Sequence, residues 1–469
     1  MAKLKVFNLG GLNQYVNPLL KDDGQLIHSV NADSYPFGAK TKRSGYVAHL
    51  GTADGSAVNS LFHWETNAGS VYTYRASGSS LYYSIGGTGA WTLAGNGTIS
   101  PGSQVGYAVL GNTLIIGDGV GSTRHTTNGT SFTNTTLAPV SNTFAQYQGR
   151  IYAGGTASDL FYSTSLDATN WNTSGTSDSS SIAIPGEGRI QSVFNANDRI
   201  IATKTSGLMF KWDGYSLVDT SSKVGPSSSE SRAEKESFNI WLNQNGLYGY
   251  TGGFPTLLSN AIQSQIYNST NTGITSANFS NAPANFYKND YLIKVGTVTP
   301  DITGYQIDDA LIKYDLQKNE FLNYKFADVP TAFHSYKDAT GLEVLLFGDS
   351  SGQCYKLSGT ATTDNGDPIE TTMEFLIASG EVDNDKEFRR FKAFFNPGSQ
   401  AKVSIAIADT FTKEGKTWIP LGDARSGIVD YQFPHNSRGR LLFVKIYENS
   451  TDTAFTLYGF TVEADILKD

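Results

Sequence analysis

The chain is poor in cysteine, methionine and charge. It has one cysteine, Cys354, and three methionines in 469 residues, and 17% of its residues are charged. A single thiol excludes an internal disulfide and a cysteine metal cluster, and beside a strand-like stretch it reads as a small buried hydrophobe, so redox chemistry is not indicated. No apolar run approaches the roughly 20 residues of a membrane-spanning helix, and no membrane insertion is expected. The opening MAKLKVFNLGG has no apolar stretch of the kind a secretory signal carries, so folding in a cytoplasm is expected. The six histidines, His28, His49, His63, His125, His334 and His435, are scattered. None lies in a metal-ligand spacing or an HExxH pattern, and neither metal nor cofactor is expected. Helical periodicity is nearly absent. Its best stretch is SNAIQSQIYNS (259–269), where Ser259 is placed to cap and Ile262 and Ile266 share a face. The formal net charge of −8 should make the surface as a whole repel nucleic acid and anionic lipid.

The chain is rich in glycine (49), tyrosine (25) and phenylalanine (26), with abundant Ser, Thr and Asn. This is the profile of short strands joined by turns, an all-β fold. An alternating hairpin returns as SSLYYSIGGTGAWTLAG (79–95), SGLMFKWDGYSLVD (206–219), GLYGYTGGFPTLLS (246–259) and ALIKYDLQKNEFLNYKF (310–326). Units of apolar strand, polar turn, apolar strand precede them at 108–117, 145–155, 192–204, 285–296 and 332–348, with looser copies at 59–76 and 231–250. A spacing of about 45 residues is the period of a four-stranded propeller blade, which predicts a six- or seven-bladed β-propeller over 52–360. Residues 1–51 form a leader whose TKRSGYVAHLG (41–51) is positioned to close the last blade. ATTDNGDP gives 361–368 a linker composition, across which proteolysis should separate two pieces. The stretches KVSIAIAD and RLLFVKIYE alternate as half-buried strands, so 369–469 should be a C-terminal β-sandwich of jelly-roll type.

Catalytic patterns are weak. STSLDATNW (163–171) loosely resembles the Asp-box of sialidase propellers, but the Gly of that box is missing, and such boxes are structural. A sialidase also needs an arginine cluster on a carboxylate, and Arg124, Arg150, Arg189 and Arg199 are scattered. Asp308 and Asp309 adjoin in a polar loop and read as solvated; a glycosidase would need two facing acids in a cleft. The Gly pair of NLGGLNQ (8–14) precedes no strand and helix of a nucleotide fold.

The leader is the most specific piece. NLGGLNQYVNPLLKDDGQLIHSVNADSYPFGAKTKRSGY (8–46), followed by WLNQNGLYGYTG and LLSNAI and then by FRRFK and FPHNSRGRLLFVKI, resembles β-propeller tail proteins of short-tailed bacteriophages: the packaged-DNA stabilisation, tail hub or nozzle family. The resemblance covers essentially the whole chain, through short structural motifs. It implies a virion protein assembled in the host cytoplasm, with no enzymatic activity. Such a protein forms a homo-oligomer, a hexameric ring below portal and adaptor proteins, contacts tail fibre, spike or needle proteins, and has duplex DNA only as passing cargo. Recognition is expected in stretches that blades do not need: the leader around Asn13, Tyr15, Asp22 and Asp23, the Ser-rich stretch Asp167–Arg189 with Trp171, and Thr299–Asp309 with Asp308 and Asp309. The alternative is a receptor- or glycan-binding propeller, lectin-like, with Trp171, Trp212 and Trp241 stacking on sugar rings, although core packing is the ordinary reading of these tryptophans; a sialidase-type glycosidase stands further off.

Overall fold

The computed structural model describes residues 2–14, 22–49, 51–87, 90–155, 158–266, 274–299, 305–378, 384–410, 416–451 and 454–467. Regular structure among these is β-strand, apart from a 3-10 turn, Ser259–Ile262, and two short helices, Gln263–Ile266 and Ser276–Ser280. Of the helix expected over 259–269, residues 259–266 are described and are helical throughout, a 3-10 turn running into a single α-helical turn, and 267–269 lie outside the described residues. Ile262 and Ile266 are buried, but the Ser259 hydroxyl does not cap. It accepts from the Leu247 amide at 3.0 Å and bonds the Gln263 side chain, so it ties the turn to a neighbouring strand.

Six sheets follow one another along the chain, over 58–98, 106–134, 141–183, 190–219, 232–257 and 284–325, each an antiparallel four-stranded meander. The apolar strand, turn, strand units of the sequence are their first two strands, and the recurring hairpins are their third and fourth. The turns have the backbone that tight hairpins need: Gln148 and Gly149 both take positive φ, 46° and 71°, between Ser141–Tyr147 and Arg150–Gly155. A further sheet begins with Ala332–Lys337, Glu343–Gly348 and Cys354–Leu357, and its next strand is Tyr46–Ala48 from the leader, with Tyr355 opposite Ala48 and Leu357 opposite Tyr46.

The first strands of neighbouring sheets pack together, and Ala332–Lys337 packs on Val58–Glu65, so the row closes on itself. At the joint between the first two sheets Phe62 stacks on Tyr107 at 4.8 Å, and at that between the fourth and fifth the Arg232 guanidinium lies 4.7 Å over Phe194. Buried residues knit each joint; Val58, Leu61, Leu346 and Cys354 join the last sheet to the first. Approach there is so close that a Cβ on Gly348 would stand 2.4 Å from the Val58 Cβ. A closed ring of radial meanders is a β-propeller.

Two more sheets lie outside the ring. In one, Thr456–Ile466 pairs with Lys386–Phe395, Ala2–Val6 and Lys40–Lys42, the last of which pairs with Ala32–Asp33; Ile428–Gln432 and Arg438–Gly439 flank Lys386–Phe395. The other runs Leu26–Val30, Thr371–Ile377, Leu441–Glu448, Lys402–Ala408, Ile419–Asp423. Phe375 of the second meets Phe460 of the first edge-on at 5.0 Å within a shared core. Residues 2–42 therefore do not stand apart as a leader. They contribute four strands to these C-terminal sheets, because strands this short have unpaired edges that must find partners. Nor is 361–368 a free linker. Thr363–Asp364 and Asp367–Pro368 form a hairpin around Asn365 and Gly366, at φ 50° and 103°, and Asp364 pairs with Tyr46.

Candidate functional site

Buried ion pairs and hydrogen bonds gather where the leader passes between the ring and the C-terminal sheets. The Gly-Gly-Leu-Asn motif docks there through its backbone: Leu12 N–H donates to the Phe321 carbonyl at 2.8 Å, Asn13 N–H to that of Leu26 at 3.0 Å, and Gln14 N–H to that of Ala261 at 2.7 Å. Gly11 is required by proximity, since a Cβ would sit 2.8 Å from that of Glu320. Leu12 is buried between the two parts.

Thirty residues on, the sequence KTKR places three cations in one buried stretch. Lys40 Nζ pairs with Glu320 of the ring at 3.0 Å, and Lys42 Nζ with Glu448 of the C-terminal sheets at 2.8 Å. Burial pushes the Lys40 ammonium below its ordinary value, and Glu320 opposes that. Arg43 uses every N–H of its guanidinium fork. It holds Asp364 at both oxygens, 2.7 and 2.5 Å, and donates to Asn31 Oδ1 at 2.8 Å, to the Ser44 carbonyl at 3.1 Å and to the Lys325 carbonyl at 2.8 Å. Its plane lies 4.6 Å over Phe326. Alongside, Lys313 of the ring bridges Asp33 of the leader at 2.6 Å and Asp290 at 2.9 Å. Burial acts to raise the Asp33 carboxyl, but Lys313 and the Ser34 amide bring it below its ordinary value. Buried ions left unpaired are expensive, so this network fixes one mutual arrangement of the two parts.

Of the residues singled out from the sequence, Asn13 alone among the described ones belongs to this site. Asn13 is at the clasp, donating its side-chain amide to Gln25 at 2.8 Å; Asp22 is exposed; Asp23 accepts from the Ala378 amide at 2.7 Å; Tyr15 lies outside the described residues. Asp167 is exposed but occupied, accepting from the Thr169 amide at 2.9 Å and its hydroxyl at 2.7 Å. Trp171 is not a surface residue. It is 4% exposed, donates its indole N–H to the Ala168 carbonyl at 2.9 Å, and packs with Phe144 and Ile151, because the Asp167 turn folds it back onto the third sheet. Trp241 is fully buried and Trp212 half-buried, so these indoles form no exposed stacking row. Asp308 and Asp309 belong to the strand Ile307–Asp315 and not to a loop. Asp308 is exposed at the edge of a cavity of about 360 Å³ shared with His28, Tyr305, Lys325 and Glu370. These residues are not brought together into one site. The reading from sequence missed Lys40, Lys42 and Arg43; the available signal was three cations in four residues of a strand-like stretch in a chain with few charges.

Among the described residues no three His, Cys, Asp or Glu side chains group so as to hold a metal ion, and no helix is long and apolar enough to cross a membrane. No protein-family model and no curated protein matches the chain. Solved structures similar to it include the computationally designed Ika8 protein, at 11% identity and a TM-score of 0.42 over 67% of this chain and 99% of that one. The Pan2 WD40 domain of Neurospora crassa is similar at 9% identity and 0.42, over 68% and 96%. YCF48 from Cyanidioschyzon merolae is similar at 10% and 0.41, over 67% and 98%.

Proposed function

We propose that this chain is an architectural tail protein of a short-tailed phage, a hub or nozzle subunit that assembles as a ring below portal and adaptor proteins, extends the DNA conduit and has no enzymatic role. In this reading the ring has seven blades, the seventh completed by Tyr46–Ala48, and the two outer sheets form a jelly-roll-type sandwich. The observation that carries it is the use made of the leader. The stretch on which the resemblance rests most heavily, 8–46, supplies the clasp and the buried ion pairs between ring and C-terminal sheets. A subunit that holds its place in a loaded conduit benefits from two rigidly joined parts, whereas a lectin or hydrolase needs a formed ligand site. The acidic balance fits a conduit, since a basic lumen would bind passing phosphates and slow the duplex. Exposed Tyr35 and Phe37, at 74% and 81%, sit on the same leader and offer apolar contact to a neighbouring subunit. Purified protein mixed with its portal and adaptor should give sixfold rings in negative stain, and particles lacking it should lose packaged DNA. Particles that keep their genome without it, or tight, salt-sensitive duplex binding by the isolated protein, would refute the reading.

A further inference from the structure

The five most exposed large apolar side chains among the described residues fall in two places, Tyr35 and Phe37 in one and Leu166, Tyr215 and Phe254 in the other. The first lies on the sheet built on Thr456–Ile466, on the face turned away from the shared core. There the Phe7 ring is 5.5 Å from that of Phe394, and exposed Ile428 stands opposite Phe394 on the next strand, whereas the following pair, Ala393 and Val429, is buried. A Cβ on Gly459 would lie 2.8 Å from Phe7 Cδ1, so the glycine lets this ring lie down on the sheet, beside exposed Tyr458 in the chain. The turn carrying Tyr35 and Phe37 is held to the same stretch, since Leu9 N–H donates to the Gly38 carbonyl at 3.0 Å. The second place is on the ring. Leu166, Tyr215 and Phe254 are 82%, 91% and 79% exposed, each in the connection between the third and fourth strands of the third, fourth and fifth sheets. Like connections of consecutive meanders share one face of the ring, and these touch the turns beside them. Leu166 N–H donates to the Gly149 carbonyl at 2.7 Å; a Cβ on Gly214 of the fourth sheet would be 2.8 Å from Gln148 Oε1 of the third; Lys211 Nζ of the fourth donates to the Gly252 carbonyl of the fifth at 2.5 Å. Exposed apolar side chains scattered singly are ordinary, but gathered on adjoining turns they make a surface.

We infer that these two patches meet between copies of this chain, the outer-sheet patch of one copy seated on the ring-turn patch of the next, in a head-to-tail contact. This rests on the reading of the chain as a ring subunit and supplies the contact that reading lacks. The area suits it. Each patch exposes on the order of 500 Å² of apolar side chain, out of the roughly 800 Å² that one partner brings to a specific interface, which is close to the usual apolar share. The unlikeness of the patches suits it too: two different surfaces on one chain join head to tail and repeat from copy to copy until a ring closes, whereas a patch that met itself would stop at a dimer. The charges at the rims are of opposite sign, exposed Lys5 two residues before Phe7 in the first patch and exposed Asp167 and Asp198 on the turns of the second.

Sedimentation velocity of the full chain over a range of concentrations tests the contact without portal or adaptor. The parent should form species larger than a dimer as its concentration rises. One variant carries Tyr35→Ser with Phe37→Ser, the other Tyr215→Ser with Phe254→Ser; all four side chains are exposed, so both variants should melt like the parent. Each should associate about a hundredfold more weakly alone. Mixed in equal amounts, the two should give a dimer and nothing larger, because one intact patch of each kind remains and the chain of contacts stops there. A parent that stays monomeric, which would mean that another protein covers the patches, overturns the inference. So does a variant that associates as the parent does, or a mixture that stays monomeric. The hub reading fails on a different result, the absence of rings with portal and adaptor, while rings that take up both variants as readily as the parent would overturn this contact and leave that reading standing.

Discussion

Arg43 reaches three parts of the molecule at once: the leader through Asn31, the ring through the Lys325 carbonyl, and the hairpin at 363–368 through Asp364. Its side chain and that of Asp364 are 1% and 3% exposed, so removing the cation strands a buried carboxylate. Arg43→Met should therefore lower stability by about 3–5 kcal/mol, and Asp364→Asn added to it should restore part of the loss. Urea denaturation of the two variants and the parent checks both. Asp290 behaves in the opposite sense. Burial outweighs its contact with Lys313 and raises its carboxyl from 3.8 to about 6. The folded state thus binds this proton more tightly than the unfolded one. The stabilisation is complete below pH 3.8 and is lost as pH rises to about 6, by at most about 3 kcal/mol. Asp33, already ionised beside Lys313, still neutralises it. Asp290→Asn should consequently be neutral or stabilising at pH 7.5, and should flatten the dependence of the thermal midpoint between pH 4 and 6.

Closure of the ring depends on a three-residue strand. Tyr46 is its anchor, fully buried against Phe326, Phe347 and Tyr355 at 5.3, 4.8 and 5.2 Å, with its hydroxyl donating to Asp328 Oδ2 at 3.0 Å and accepting from the Asp328 amide at 2.7 Å. Tyr46→Ala should cost about 3–5 kcal/mol, whereas Tyr46→Phe, which keeps the ring contacts, should cost about 1–3 kcal/mol; equilibrium unfolding in urea separates the two. This strand was legible in TKRSGYVAHLG, and so were the first two strands of each sheet, because an apolar run, a polar turn and another apolar run are neighbours in the chain. Four other leader strands were not. Ala2–Val6, Leu26–Val30 and Lys40–Lys42 have partners hundreds of residues away, as with Lys3, whose ammonium meets Glu463 at 2.8 Å, and pairing at such separation leaves no local pattern; Ala32–Asp33 pairs only with Lys40–Lys42 nearby, but two residues are too few to carry an alternation. The hairpin at 363–368 was hidden by its polar composition, although Asn365–Gly366 is a turn signal in its own right. Trp171 had two readings, a core residue and a member of a recognition stretch, and the Asp167 turn folds it inward in keeping with the first.

The way the chain returns on itself decides how the whole molecule comes apart. One buried cluster runs from Leu292, Phe321 and Phe326 in the ring through Leu12 and Leu26 of the leader to Met373, Phe375 and Phe460 in the outer sheets. Each fully buried leucine or phenylalanine in it contributes about 1.5–3 kcal/mol. Cleavage between 361 and 368 leaves an N-terminal piece that still owns Ala2–Val6, Leu26–Val30, Ala32–Asp33 and Lys40–Lys42, four strands of the sheets completed by the C-terminal piece. Separation would expose that core, open the sheet edges and strand Lys42 and Glu448, each buried opposite the other. The linker composition suggested two pieces that part on proteolysis; the strand pairing requires that they stay together. With a protease site inserted after Gly366, at the tip of the hairpin and with open space around its Cβ position, the cut chain should elute from gel filtration as one particle of the uncut size. Its two fragments should part only in denaturant, in a single transition seen by both intrinsic fluorescence and elution volume. Two native peaks after cutting would show that the ring and the outer sheets are independent domains after all.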